Sequence, residues 1–406
     1  MDALVGNEAG PFGTNQVWLN DGTGHFTDSG EVLGNNYASE VLLRDLDGDG
    51  DLDAFIGNYF RYDEVYLNDG TGHFTFTGQI LGNPPSTENL GTFAVDIGDL
   101  DGDGDLDAFV GTNGDNRAWF NDGAGAFTKG SQAMAFDDTR AVALGDLDGD
   151  GDLDAYTGNN GDGNRIWLNN GSGTFADSGQ ALGANFSSTL ERQTFVVALG
   201  DVDGDGDLDA WGGNHGRNHL WLNDGAANFT ESGQFFPGGQ TWSAALADMD
   251  EDGDLDVFVG NGNNGPANVL HLNDGTGAFS NSGQSLGSSL SYAVAVADVD
   301  GDGDMDAFVG NNTVNRLWRS VTGPTFVSQP PGEVVAGQFY DEVLNFTSET
   351  GSLTLSITAM PPWMTFDAAT NRLYGTPGAM DATFTTIYIE ADDGVVVDSF
   401  FFNLQD

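Results

Sequence analysis

The chain has 406 residues, with 63 Asp+Glu against 11 Lys+Arg, a formal net charge of −52, 61 Gly and no Cys. So acidic a chain repels phosphate backbones and anionic membrane surfaces, which argues against nucleic acid and lipid as partners. No apolar run reaches the ~18 residues of a membrane helix, and without Cys there is no disulfide framework, thiolate metal site or thiol nucleophile. Apolar residues make up 39%, enough for a core, so a compact fold must offset the self-repulsion of its acids.

In chain order, the sequence opens inside a repeat. Residues 1–7 (MDALVGN) align with 305–311 (MDAFVGN), so Met1 falls where Met305 falls and Asp2 matches the last residue of an acidic loop. The expectation is a first unit lacking its innermost strand, as in a fragment or a chain with a misplaced start codon. A missing leader then carries no information about export.

The acidic loop itself recurs six times, at 45–53 (DLDGDGDLD), 99–107, 146–154, 201–209, 248–256 and 298–306. The starts are 54, 47, 55, 47 and 50 residues apart. A period near 50 is that of a solenoid, a propeller or an array. These loops hold 31 of the 63 acids, so half of the acidity is clustered rather than spread over a solvated surface.

Each loop has Asp at positions 1, 3, 5, 7 and 9 and Gly at position 6. Alternate carboxylates on a tightly curled backbone converge, and the glycine permits the curl. The candidate ligands are Asp45, Asp47, Asp49, Asp51 and Asp53; Asp99, Asp101, Asp103, Asp105 and Asp107; Asp146, Asp148, Asp150, Asp152 and Asp154; Asp201, Asp203, Asp205, Asp207 and Asp209; Asp248, Asp250, Asp252, Asp254 and Asp256; and Asp298, Asp300, Asp302, Asp304 and Asp306. Position 7 would serve through its carbonyl. A set of hard oxygens suits Ca²⁺ better than Mg²⁺, which demands tighter octahedral geometry and keeps its water. The predicted cofactor is therefore Ca²⁺, about six per chain, one per loop. An EF-hand is excluded, because position 12 is Ile56, Val110, Thr157, Gly212, Val259 or Val309 instead of Glu and the flanks are strand-like.

The rest of each unit reads as four short strands. In the third unit these are 92–98 (TFAVDIG), 107–111 (DAFVG), 117–121 (RAWFN) and 126–129 (AFTK), bounded by Gly, Asn and Asp. An Asn-Asp-Gly or Asn-Asn-Gly hairpin signal precedes the last strand, as at Asn121, Asp122 and Gly123. Two aromatic series recur in register: Trp18, Tyr66, Trp119, Trp167, Trp221, His271 and Trp318, and Phe26, Phe74, Phe127, Phe175, Phe229, Phe279 and Phe326. They read as packing between neighbouring sheets. Four strands per unit and seven units predict a β-propeller.

The combination of the D-h-D-G-D-G-x-x-D loop, the following D-A-F-V-G-N (306–311) and the N-D-G-T-G-x-F hairpin (20–26) resembles the FG-GAP/VCBS-type repeats of integrin-α-like β-propellers. The resemblance covers roughly residues 1–326. It implies a seven-bladed propeller with Ca²⁺ in the loop between the first and second strands of a blade. Glu251 replaces the usual Gly at position 4 of the fifth loop, on the side away from the metal, so that site is expected to survive.

Near residue 327 the repeat stops, and Gln329, Pro330, Pro331 and Gly332 read as a linker. Residues 333–406 alternate as short strands, at 353–358, 383–390 and 395–404, enough for a small β-sandwich. The strings 362–367 (PWMTFD), 372–377 (RLYGTP) and 391–394 (ADDG) resemble a cadherin-like/dystroglycan-type Ig domain, of a kind that occurs in tandem in bacterial surface proteins. The expected fold class is thus all-β: a seven-bladed β-propeller, incomplete in its first blade, over 1–326, and a small C-terminal Ig-like β-sandwich over 327–406.

In such a blade the acidic loops and the hairpins share one face. The opposite face carries the second-to-third connections, 57–63, 158–165, 212–219 and 260–268. With them come Arg61, Arg117, Arg165, Arg217 and Arg316, His215 and His219, and the aromatics Tyr59, Phe60 and Tyr62. As a face it predicts recognition of a protein or glycan, although each Arg taken singly is better explained by pairing with a nearby Asp. The chain is expected to be a non-catalytic, calcium-binding module for adhesion or protein recognition, monomeric within a larger protein. The expected location is extracellular or at a bacterial cell surface, where external Ca²⁺ is millimolar and the ion replaces disulfides. The alternative is a lectin or polysaccharide-binding module using Tyr59, Tyr62 or Trp242. A propeller-type polysaccharide-degrading enzyme is weaker, since HExxH is absent and no general base can be singled out among so many Asp.

Overall fold

In a computed structural model of the chain, the described residues are 2–7, 14–34, 36–59, 61–82, 91–237, 239–262, 267–284, 286–312, 314–320, 325–328, 338–347, 353–377, 385–392 and 397–404. Every regular element among them is a β-strand. The chain divides into two compact units, Met1–Trp318 and Arg319–Asp406.

The first unit holds seven antiparallel sheets that follow one another in sequence. The fifth shows the plan. Thr194–Gly200 pairs with Asp209–Asn214, which pairs with His219–Leu222, which pairs with Thr230–Glu231. The innermost strands of successive sheets lie side by side around the axis, from Ala38–Arg44 through Thr92–Gly98, Thr139–Gly145, Thr194–Gly200 and Thr241–Ala247 to Ser291–Ala297. The first sheet has three described strands, Ala3–Val5, Asn15–Asn20 and Phe26–Leu33. Its Ala3–Val5 corresponds to the second strand of the others, as expected.

The second strand of a sheet is covered on both faces. Asp107–Thr112, Asp154–Asn159 and Asp209–Asn214 are buried throughout, which is why they lack polar alternation. The glycine of the D-A-F-V-G-N string has a steric reason. A Cβ on Gly158 would lie 2.9 Å from Thr194 Cγ2 of the next sheet and 3.0 Å from Ala141 Cβ, so a side chain there would push neighbouring sheets apart.

Three contacts repeat between neighbouring sheets. In the third to fifth sheets the Phe after the hairpin packs on the aromatic residue of the preceding sheet's second strand: Phe127 on Phe55 at 5.6 Å, Phe175 on Phe109 at 5.3 Å and Phe229 on Tyr156 at 5.6 Å between ring centroids. The hairpin Asn donates from Nδ2 to a carbonyl of the preceding sheet's acidic loop: Asn121 to Leu46, Asn169 to Leu100, Asn223 to Leu147 and Asn273 to Val202. A Gln beyond the outer strand grips the next sheet's hairpin. Gln132 Oε1 accepts from Phe175 N–H, Gln180 Oε1 from Phe229 N–H and Gln234 Oε1 from Phe279 N–H, while each Nε2 donates to a backbone carbonyl nearby. The first and seventh sheets meet by the same means. Asn20 Nδ2 donates to Val299 O at 2.7 Å, and Phe26 packs on Phe308 at 5.6 Å. The sheets therefore close into a β-propeller.

In the second unit, Tyr340–Val343, Arg372–Gly375 and Met364–Asp367 form one sheet, and Thr354–Ala359, Thr385–Asp392 and Val397–Leu404 another. Tyr340, Met364 and Leu373 from the first share a core with Leu355, Ile387 and Ile389 from the second. Thr325–Ser328 pairs with Asn345–Thr347. Thr325–Ser328, readable as either the last propeller strand or the first sandwich strand, thus pairs within the C-terminal unit, and the two compact units divide between Trp318 and Arg319. The linker residues 329–332 lie outside the described residues, as do Asp393 and Gly394 of the C-terminal motif.

Candidate metal loops and the opposite face

Each acidic loop joins the inner strand to the second strand of its sheet. The curl is held by the first Asp. In the first loop Asp45 Oδ1 accepts from Gly48 N–H at 2.8 Å and Asp45 Oδ2 from Gly50 N–H at 3.0 Å. Gly50 has φ 96°, a left-handed conformation that glycine adopts without Cβ strain. The ninth residue anchors the loop to the hairpin. Asp53 Oδ2 accepts from Leu46 N–H and Asp53 Oδ1 from Asn68 N–H, both at 2.8 Å. Asp107, Asp154 and Asp209 repeat both bonds. In the first sheet Asp2 Oδ1 likewise accepts from Asn20 N–H at 2.8 Å.

This framework brings positions 1, 3 and 9 together. The carboxylates of Asp45, Asp47 and Asp53 each place an oxygen within 4.8 Å of the others, as do Asp99, Asp101 and Asp107; Asp146, Asp148 and Asp154; Asp201, Asp203 and Asp209; Asp248, Asp250 and Asp256; and one further group of this kind. Position 5 stands at the rim, where Asp49 Oδ1 accepts from Asp51 N–H at 2.9 Å. The position 7 side chain turns to the hairpin: a Cβ on Gly70 would lie 2.4 Å from Asp51 Oδ2.

The converging carboxylates are electrostatically costly by themselves. Burial, opposed by backbone N–H donors and reinforced by neighbouring Asp charges, pushes Asp107, Asp154 and Asp209 up to about 6. Asp101 and Asp203 are raised by burial and then by Asp103 and Asp205. Asp101 Oδ1, Asp203 Oδ1 and Asp248 Oδ1 are buried without a hydrogen-bond partner. Oxygens so placed beside two other carboxylates fit a hard divalent cation.

On the opposite face the candidate cations are largely engaged. Arg117 pairs with Asp115 at 3.0 Å, Arg165 with Asp137 at 2.6 Å and Asp177 at 3.0 Å, and Arg217 with Glu231 at 3.6 Å while lying over Phe235. Arg316 lies over Trp318. His219 is internal, stacked on Phe186 with Nδ1 2.8 Å from Glu231, and burial lowers its pKa. Phe60 and residues 263–266 lie outside the described residues. Sequence reasoning missed a group at the start of the inner strands. Arg140 pairs with Asp138 at 2.8 Å, lies 3.8 Å above the Phe93 ring and reaches Tyr59 Oη at 3.4 Å. Its only sequence signal was the aromatic second residue of several inner strands.

A closed ring of seven sheets, six of them with an acidic loop between their first two strands, defines a repeat propeller. The chain belongs to the FG-GAP-like repeat family, whose model matches at 45–110, 99–157, 146–212, 201–259 and 248–309. Among solved structures, it is similar to an Agrocybe aegerita lectin described as recognising non-reducing terminal N-acetylglucosamine, with 20% identity and a TM-score of 0.48 over 69% of this chain and 75% of that one. It is also similar to the extracellular domain of a hybrid two-component system from B. thetaiotaomicron (12% identity, TM-score 0.46, 99% and 55% covered), and to BBS1N in a complex with ARL6DN (13%, 0.45, 96% and 97%). No curated protein matches the chain. Among the described residues no helix is long and apolar enough to cross a membrane, which does not bear on membrane β-barrels.

Proposed function

We propose that the chain is a calcium-bound, non-catalytic recognition propeller that works outside the cell or at its surface, with adhesion or partner recognition as its task. The observation that carries the metal reading is the repeated convergence of three carboxylates within 4.8 Å, with buried, unpartnered oxygens among them. Positions 1, 3 and 9 would hold the ion, supported by position 5 and the carbonyl of position 7. The ion would neutralise charge that otherwise opposes folding. An environment with millimolar Ca²⁺ suits sites of modest affinity. The face remote from the loops, with its side chains set on a rigid ring, would take a protein or glycan.

Elemental analysis of dialysed protein should find about six Ca²⁺ per chain, and EGTA should lower the melting temperature by tens of degrees. A protein that holds no divalent ion and melts unchanged in EGTA would sink the metal reading. Turnover of any of a range of acidic polysaccharides would overturn the non-catalytic part.

A further inference from the structure

All six inner strands break register at their second residue: between Ala38 and Glu40, Thr92 and Ala94, Thr139 and Ala141, Thr194 and Val196, Thr241 and Ser243, and Ser291 and Ala293. A β-bulge takes the extra residue out of the in-out alternation and re-aims its side chain. The residues so re-aimed are Ser39, Phe93, Arg140, Phe195, Trp242 and Tyr292. They ring the axis at the end of the inner strands remote from the acidic loops. Phe195 lies 4.8 Å from Trp242, and Trp242 lies 6.1 Å from Tyr292, between ring centroids.

We propose that this ring of bulged side chains is a binding site for a neutral saccharide; the proposal rests on the recognition reading above and gives it a place and a ligand class. Four of the six side chains are aromatic, and Tyr292 is 42% exposed, offering apolar faces on which the C–H face of a sugar can stack. The ring's one cation, Arg140, is matched by Asp138 at 2.8 Å. In a chain of net charge −52 this spot is locally neutral, so it favours neither a cation nor an anion.

The hydrogen-bonding groups beside the aromatics narrow the class. Gln193 Oε1 lies 2.7 Å from His215 Nδ1, and Gln240 Nε2 meets His215 Nε2. Oε1 can only accept, so Nδ1 carries the proton and Nε2 accepts from the Gln240 amide. Gln240 Oε1 is then left without a hydrogen bond, as is Trp242 Nε1–H. Hydroxyl groups both donate and accept, and so satisfy both. An ammonium or guanidinium satisfies only the first, and a carboxylate only the second. Both atoms lie just beneath the surface. Pairing them requires the indole to turn off Gly262, whose bare backbone it covers so closely that a Cβ there would sit 1.9 Å from the ring.

The test is titration of the calcium-loaded full chain with neutral mono- and disaccharides, followed by tryptophan fluorescence and heat. Saccharide binding should weaken about tenfold or more in Trp242→Ala and in Tyr292→Ala, and be largely kept in Trp242→Phe, with the melting temperature in calcium unchanged. Should Trp242→Ala fold poorly, the exposed Tyr292 decides. Binding indifferent to both alanine variants overturns this site and leaves the recognition reading standing. Loss of sugar binding in favour of a cationic peptide captured through Trp242 overturns the ligand class alone. A folded, calcium-loaded chain that binds neither overturns both.

Discussion

Glu251 has φ 61° at the fourth position of its loop, where Gly48, Gly102, Gly149, Gly204 and Gly301 stand at 76–82° in the other five. In those five the N–H of the Gly reaches Oδ1 of the first Asp; in the fifth, Asp248 Oδ1 is unpartnered. A left-handed conformation costs a side-chain-bearing residue about 1 kcal/mol or more. Glu251→Gly should therefore stabilise the protein by about 1 kcal/mol, raising its melting temperature by a few degrees. Glu251→Gln removes the charge and keeps the strain, so equal gains from the two variants would refute the backbone explanation. At this scale the candidate metal loops were legible in the sequence, because all their carboxylates come from nine consecutive residues. The ring around Arg140 was not. Its members come from different sheets, and the bulges that re-aim them leave no mark in the alternation.

The Gln contact belongs to the level of the element. Gln180 accepts from Phe229 N–H at 3.0 Å and donates to Ala227 O, 49 and 47 residues away. Gln180→Ala removes two hydrogen bonds at a sheet junction and should cost about 1–3 kcal/mol, read from urea unfolding, with faster amide exchange at Phe229. Unchanged exchange there would mean that the ring and Asn223 contacts hold the junction without it. The first sheet carries Glu31 in place of this Gln, and its carboxylate pairs with His73 at 2.8 Å. The S-G-Q string repeats openly in the sequence at 178–180, 232–234 and 282–284, yet its meaning was hidden, because its partner is one repeat away. The strands and hairpins were legible since turn chemistry and alternation are local. The domain boundary was not, since Thr325–Ser328 reads as a strand whichever unit it pairs with.

For the whole molecule, the proposed metal and protons would compete for the same oxygens. Asp107, Asp154 and Asp209 stand at about 6 against an ordinary 3.8. With folded values raised, the native state takes up protons that the unfolded chain does not, so stability gained at low pH is lost as pH rises through about 6. Protein in EGTA should then melt higher at about pH 5 than at about pH 7.5. With excess calcium the order should reverse, because the bound ion needs ionised carboxylates. Equal melts at both pH values in EGTA would show that the loops no longer hold these carboxylates together. The seam between the first and seventh sheets bears on how the molecule assembles. Asn20 and Val299 are 279 residues apart, whereas the other junctions join sheets adjacent in sequence. Bringing such distant segments together costs about 1.5 kcal/mol more chain entropy than closing a single repeat. Neighbouring sheets can therefore zip up in sequence while the seam forms last, and the same seam is the natural point at which the ring first parts when it unfolds.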